Sequence, residues 1–163
     1  NDMQIILKIG DKAVYPGHGV GRIISIESKE VMGSQLTFYS IEILESGIKI
    51  MFPENRVDTI GIRPVISKEE AEEVLNILKK PDSSLHVQER NWQKRHQAYR
   101  DKIQNGSIYE IVDVIKDLHN IKKDKELSYG EKRMMDKAQN MLRSELSVAM
   151  NQQQDLALPV HSL

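Results

Sequence analysis

Trp92 is the single tryptophan of a 163-residue chain, and it stands in the run Glu89-Arg90-Asn91-Trp92-Gln93-Lys94-Arg95-His96-Gln97-Ala98-Tyr99-Arg100. Between His86 and Gln104 five Lys or Arg residues face two acids, a local excess of +3 in a chain whose formal net charge is -1. A large flat apolar side chain ringed by cations suits a surface that is apolar in the middle and anionic at the rim, and distorted nucleic acid is such a surface. The same spacing fits a packing residue of a helical domain, the commoner role of a lone tryptophan. The residues alone leave both readings open.

Other chemistry is hard to assemble from this chain. With no cysteine there is no disulfide, thiolate nucleophile or cysteine-ligated zinc. The five histidines, His18, His86, His96, His119 and His161, are scattered, and no HExxH or HxH spacing joins them. Gly17-His18-Gly19-Val20-Gly21 is glycine-rich, yet it lacks the Lys-Ser/Thr of a phosphate loop and leads into a strand. His18 there reads as a turn residue. The acidic run Glu69 to Glu73 begins a helix, where carboxylates complement the macrodipole. The expectation is a non-enzyme with no metal, no cofactor and no small-molecule substrate.

The bulk numbers agree with a local contact. With 23 basic and 24 acidic residues, the chain lacks the basic excess of a protein that coats nucleic acid by charge alone. Any contact with DNA is then local or assisted. No run of about 18 apolar residues and no basic-then-apolar leader is visible, so neither a membrane partner nor export is expected, and the cytoplasm is the expected compartment.

Two halves with different periods must position these residues. From Lys8 to Ile66 the pattern is short and alternating. Ala13-Val14-Tyr15 ends at Pro16, and Gly17-His18-Gly19 permits a tight reversal. Val20 to Glu30 reads as a strand, Met32-Gly33-Ser34-Gln35 as a hairpin loop, and Leu36 to Leu44 as the return strand. Glu45-Ser46-Gly47 turns into Ile48 to Phe52, and a short last strand is expected near Val57 to Ile60. Five short strands in so few residues fit a small SH3- or Tudor-like β-barrel better than a sandwich.

After Ile66 the period becomes that of a helix. Ser67 with Glu70, Ser107 with Glu110 and Ser128 with Glu131 are three capping boxes that announce three helix starts. The first helix runs to about Lys79 and stops at Lys80-Pro81, with Pro81 to Leu85 as connector. Another begins between Val87 and Asn91 and ends at Asn105-Gly106. Ile108, Ile111, Val112, Ile115 and Leu118 share one face of the third, and Met134, Met135, Ala138, Met141, Leu142 and Leu146 one face of the fourth. The expected protein is α+β with two domains: a barrel over residues 1–66, a helical bundle over 67–150, and a flexible tail over 151–163. A barrel plus a bundle without catalytic equipment is the plan of a two-handed adaptor. An adaptor that never touches DNA, or a repressor of its own operator, would be built from the same parts, although near-neutral charge disfavours the repressor.

Further residues carry a family resemblance. Lys8-Ile9-Gly10-Asp11-Lys12-Ala13-Val14-Tyr15-Pro16-Gly17-His18-Gly19-Val20-Gly21, Phe52-Pro53 and Ile60-Gly61-Ile62-Arg63 resemble the N-terminal module of the bacterial CarD/CdnL transcription regulators, which transcription-repair coupling factors share. Asn91-Trp92-Gln93-Lys94-Arg95 and Leu127-Ser128-Tyr129-Gly130-Glu131-Lys132-Arg133-Met134 resemble that family's helical domain. The resemblance implies that the barrel docks on the RNA polymerase β subunit while the helical domain reaches promoter DNA at the upstream edge of the transcription bubble. It places polymerase contact on Lys29, Val31, Met51 and Pro53, and DNA contact on Trp92 as a wedge with Arg90, Asn91, Lys94 and Arg95 around it. Two positions depart from relatives: Met51 and Gln97 stand where some members carry a basic residue.

Overall fold

The computed structural model describes residues 6–80, 92–151 and 158. The chain divides into two compact units, Asn1–Val65 and Ile66–Leu163. In the first, β1 (Lys12–Tyr15), β2 (Gly19–Val31), β3 (Ser34–Ile43), β4 (Lys49–Pro53) and β5 (Arg63–Pro64) form one antiparallel sheet in the spatial order β4-β3-β2-β1-β5. Ala13, Ile23, Tyr39, Ile41, Phe52, Val57 and Ile62 fill its core together with Leu7.

β2 does two jobs along its length. Its first half, including Val20, Gly21 and Ile23, is buried, and an irregularity between Ile23 and Ser25 shifts the register against β3. Past that shift, the strand from Glu27 to Val31 runs out into solvent. Gly21 sits where the strands crowd. A Cβ there would lie 2.5 Å from Ile41 Cγ1 and 2.8 Å from its Cδ1, so only glycine lets the β2 and β3 backbones pair at this depth.

Two sequence expectations need correction in this unit. The hairpin loop is two residues, not four: Val31 pairs with Ser34, and Met32 and Gly33 carry φ of 52° and 84°. Both values are positive, as the tight turn that matches strand twist requires. The expected strand at Val57 to Ile60 is instead a single helical turn, α1 (Val57–Ile60), which follows a 3-10 turn at Glu54–Arg56. Val57 and Ile60 lie three apart, which puts both on one face of a helical turn, whereas a strand would send them to opposite faces. Gly61, at φ 88°, ends the turn, and the Gly61 and Ile62 amides both donate to the Val57 carbonyl. The fifth strand falls at Arg63–Pro64, paired with Ala13 and Val14 at the end of the ladder, where the missing proline N–H costs nothing.

The second unit holds α2 (Lys68–Lys79), α3 (Trp92–Asn105), α4 (Ile108–Asp124) and α5 (Tyr129–Ala149). Ser67 accepts the Glu70 amide at 3.1 Å, and Ser128 accepts the Glu131 amide at 3.2 Å while its own amide donates to Glu131 Oε1 at 2.9 Å. At Ser107 the backbone amide donates to Glu110 at 3.5 Å. All three serines stand at helix N-caps, but the reciprocal capping box forms only at Ser107 and Ser128; at Ser67 the Glu70 carboxylate accepts from the serine hydroxyl at 3.4 Å instead of from the cap amide.

α4 is the central helix. Ile111, Val112, Val114, Ile115 and Leu118 are buried, and Asp117 and His119 with them. Ala71, Val74 and Leu78 of α2, Tyr99 and Ile103 of α3, and Met135, Ala138, Met141, Leu142 and Leu146 of α5 complete the core. Gly106 separates α3 from α4 for steric reasons: a Cβ there would meet the Lys102 carbonyl oxygen at 2.4 Å. Leu158, expected in a flexible tail, is buried in this same core. The connector at Pro81 to Leu85 and the helix start between Val87 and Asn91 lie outside the described residues.

Candidate functional site

The sheet offers the first candidate surface. Directly opposed residues of an antiparallel sheet share a face, and alternate residues along a strand share it too. Ser25 opposes Ser40, which opposes Met51; Glu27 opposes Phe38, which opposes Pro53; Lys29 opposes Leu36, and Val31 opposes Ser34. Lys29, Val31, Met51 and Pro53 therefore all lie on one face, spread over β2 and β4 with β3 between them.

Their side chains meet above β3. Lys29 Nζ lies 3.8 Å from Met51 Sδ, 5.8 Å from the centre of the Phe38 ring and 3.6 Å from Glu27 Oε2. Met51 is 53% exposed and Val31 39%, and Met32 at the adjoining turn is fully exposed. The result is a largely apolar surface crossed by the Lys29–Glu27 ion pair. β4 pairs only with β3 among the described residues, so its outer edge ends the ladder and can accept a further strand. Phe38 was not singled out from the sequence. Its alternation within a strand was the only signal, and that signal does not tell which face is solvated.

The second candidate surface lies in the helical unit. Trp92 is the first described residue of α3, one helical turn before His96 and two before Tyr99; Arg90 and Asn91 lie outside the described residues. His96, Tyr99 and Ile103 are buried, so the side of α3 that these three share faces the core. Burial pushes the Tyr99 phenol well above its ordinary value, and the charge of Asp117 adds to the effect. Lys94 and Arg100 are both exposed, Lys94 on the far side of the helix and Arg100 one turn beyond His96. Gln97, where some relatives carry a cation, accepts from Arg100 Nη2 at 3.1 Å and donates to Asp101 at 2.9 Å.

Lys94 and Arg95, adjacent in sequence, are separated in role. Arg95 turns inward: its Nη2 lies 3.1 Å from Glu131 Oε2, with the arginine side chain 15% exposed and the glutamate 1%. Glu131 Oε1 holds the Ser128 amide, so one carboxylate caps α5 with one oxygen and grips α3 with the other. Burial alone would raise the Glu131 pKa, but the Ser128 hydrogen bonds and the charges of Arg95 and Lys125 outweigh it and hold the group below the ordinary carboxylate value. Beside this pair the α5 backbone comes close to α3, since a Cβ on Gly130 would sit 3.3 Å from His96 Cε1. Burial lowers the His96 pKa, Glu131 opposes that, and Arg95 and Arg100 reinforce it.

Next to that seat, Tyr129 projects from the first turn of α5 at 75% exposure, with the Arg133 guanidinium 5.8 Å from its ring centre. This exposed aromatic and cation were not recognised as a site from sequence. The serine cap one residue earlier had drawn the reading toward the start of a helix rather than toward surface chemistry. Among the described residues no three His, Asp or Glu side chains are grouped to hold a metal ion, and no helix is long and apolar enough to cross a membrane.

Comparisons with known proteins cover nearly the whole chain. Residues 7–66 match the family described as the CarD-like/TRCF RID domain, and residues 73–159 match the CarD C-terminal domain. YdeB of Bacillus subtilis (strain 168), a candidate transcription factor, is 35% identical over 143 residues, 88% of this chain and 92% of YdeB. Among solved structures, the 72-residue N-terminal domain of Myxococcus xanthus CarD is 41% identical over 39% of this chain and 84% of its own, with a TM-score of 0.32. The N-terminal domain of M. xanthus CdnL is 51% identical over 41% and 94%, with a TM-score of 0.33.

Proposed function

This chain belongs to the CarD family of transcription factors, and from that membership we propose that it docks on the RNA polymerase β subunit through its sheet unit and stabilises the promoter open complex through its helical unit. The observation that carries the reading is the convergence of Lys29, Val31, Met51 and Pro53 on one exposed face beside the free β4 edge. A strand of β laid along β4 would satisfy that edge, while Met51, Val31 and Phe38 offer apolar contact and Lys29 a charge. The activity is one of binding, with no chemical step.

On the DNA side, Trp92 is the proposed wedge at the upstream edge of the bubble, with Lys94 and Arg90 on flanking phosphates and Asn91 beside them. Phosphate contacts position such a wedge without reading sequence. Unstacking a base step costs a few kcal/mol, of which an inserted indole recovers part. Where polymerase has already opened the step, the wedge favours open over closed, and an advantage of about 1.4 kcal/mol shifts that ratio tenfold. Tyr129 and Arg133 at the start of α5 offer a second aromatic and cation pair for such contact. Arg95, engaged with Glu131, is assigned to holding α3 rather than to phosphate. A net charge of -1 keeps affinity for free DNA low, and tethering to polymerase supplies the local concentration.

The test is the lifetime of open complexes challenged with competitor, with and without the protein. Wild type is expected to prolong it, and Trp92→Ala to bind polymerase normally yet fail to do so. A Trp92→Ala protein that prolongs the lifetime like wild type would overturn the wedge. Normal capture of a β fragment by a Lys29→Glu/Met51→Glu protein would overturn the docking face.

A further inference from the structure

We infer that Glu131 and Arg95 together are a positioning clamp that fixes the first turn of α3, and with it Trp92, against the start of α5. The inference rests on the wedge reading above and goes beyond it by assigning the residues that hold the wedge in place. Three observations carry it. The ion pair joins α3 to α5 across 36 positions of sequence and is buried, with the Arg95 side chain 15% and the Glu131 side chain 1% exposed. Each Glu131 oxygen has its own task, Oε1 on the Ser128 amide and Oε2 on Arg95, so the α5 cap and the α3 grip are one rigid unit. Gly130, the preceding residue, lets the α5 backbone approach the His96 ring, which closes the same joint from the next position of α3.

Helix geometry carries this to the tryptophan. Arg95 is three residues beyond Trp92, about 4.5 Å of helix rise, so the clamp acts within one turn of the proposed wedge. A buried ion pair is weak evidence for stability, because desolvation offsets most of the attraction. Fixing the geometry of a functional side chain is a role that such a pair can fill, since a site left loose by its supporting residues loses function before it loses fold. Glu110 provides the contrast: it forms the equivalent capping box with Ser107 on α4 and stands exposed.

The experiment compares Glu131→Gln, Arg95→Gln, Arg95→Lys and Glu110→Gln in the full chain. The single tryptophan makes emission wavelength and acrylamide quenching a direct report on Trp92. Glu131→Gln and Arg95→Gln are expected to keep the helical circular dichroism and β-subunit binding of wild type, to shift Trp92 emission and quenching, and to lose most of the open-complex lifetime extension. Arg95→Lys is expected to recover part of both signals, and Glu110→Gln to lower the melting temperature with neither changed. Should Glu131→Gln fail to fold, Arg95→Gln decides the matter, because it leaves the Ser128 cap intact. Folded clamp variants with wild-type emission and lifetime overturn the clamp, even where Trp92→Ala abolishes the lifetime effect. If Trp92→Ala has no effect on lifetime, the wedge fails, and the emission change alone then supports or sinks the clamp.

Discussion

Lys29 on β2 and Met51 on β4 meet across the intervening strand, Nζ to Sδ at 3.8 Å, with the Phe38 ring beneath them. They are 22 positions apart in sequence and become neighbours because the β2–β3 hairpin and the β3–β4 turn fold three strands into one register. The meeting gives a physical sense to methionine at this position. A second cation at 51 would stand against Lys29, whereas a thioether packs beside it and leaves the Lys29–Glu27 pair over an apolar floor.

That relation predicts the behaviour of charge reversals on this face. Lys29→Glu and Met51→Glu are each expected to weaken binding to a β fragment about tenfold or more, the equivalent of roughly 1.4 kcal/mol, with melting temperature close to wild type because both side chains are exposed. Titration by isothermal calorimetry measures it. Met51→Leu, which keeps the apolar contact, should bind within about threefold of wild type, since volume-conserving apolar swaps cost little. Equal loss from Met51→Leu and Met51→Glu would show that shape rather than charge governs this contact.

Gly21 and Gly33 should respond differently to alanine. At Gly21 the new Cβ would meet the fully buried Ile41 and, at 3.0 Å, the Glu42 carbonyl, so Gly21→Ala is expected to cost about 1–3 kcal/mol by overpacking. At Gly33 nothing lies within 4 Å of the new atom, and the cost is only that of holding a non-glycine residue at positive φ, about 1–2 kcal/mol. Denaturant unfolding of the two variants checks both values. Gly33→Ala should also leave β-fragment affinity in place, because the turn lies past the docking residues.

Leu158 supplies a separate prediction for the helical unit. It is buried among the residues of α2, α3, α4 and α5 that form the core, although the sequence from Asn151 onward had lost its helical period. Leu158→Ala is expected to destabilise this unit by about 2–5 kcal/mol, the range for removing a buried leucine. A melting temperature equal to wild type would mean that the residue is not packed in solution.

These cases show which parts of the molecule were legible. Serine caps at 67, 107 and 128 could be read because a cap is local, three residues from oxygen to amide. The apolar faces of α4 and α5 could be read because burial imposes the helical period on many residues. Val57 to Ile60 was mistaken for a strand because four residues are too few to establish a period, and the decision belonged to Val57 packing under the sheet. Arg95 was grouped with Lys94 as a DNA contact, and its ion pair went unforeseen because Glu131 is 36 positions away and already accounted for as a cap. Leu158 was missed for the same reason, since its packing depends wholly on tertiary structure.

Acid stability is the last prediction, and its sign follows from two groups at the joint between α3 and α5. Burial lowers the His96 pKa, so the folded chain keeps the ring neutral where the unfolded chain takes up a proton. Stability from this source is complete above the unfolded value of about 6.5 and declines as the pH falls from there toward the folded value. Glu131 is held below the ordinary carboxylate value by Ser128, Arg95 and Lys125 against the effect of burial. Its contribution is present above about 4.3 and is lost as the pH falls through the lower folded value. Wild type should therefore lose stability in two stages, a shallow one below about pH 6.5 and a steeper one below about pH 4.3. His96→Asn is expected to flatten the upper stage and leave the lower, while Glu131→Gln should be less stable near neutrality and flatten the lower. Denaturation midpoints between about pH 8 and about pH 2 separate the two, and an unchanged upper slope in His96→Asn would move that titration to another histidine.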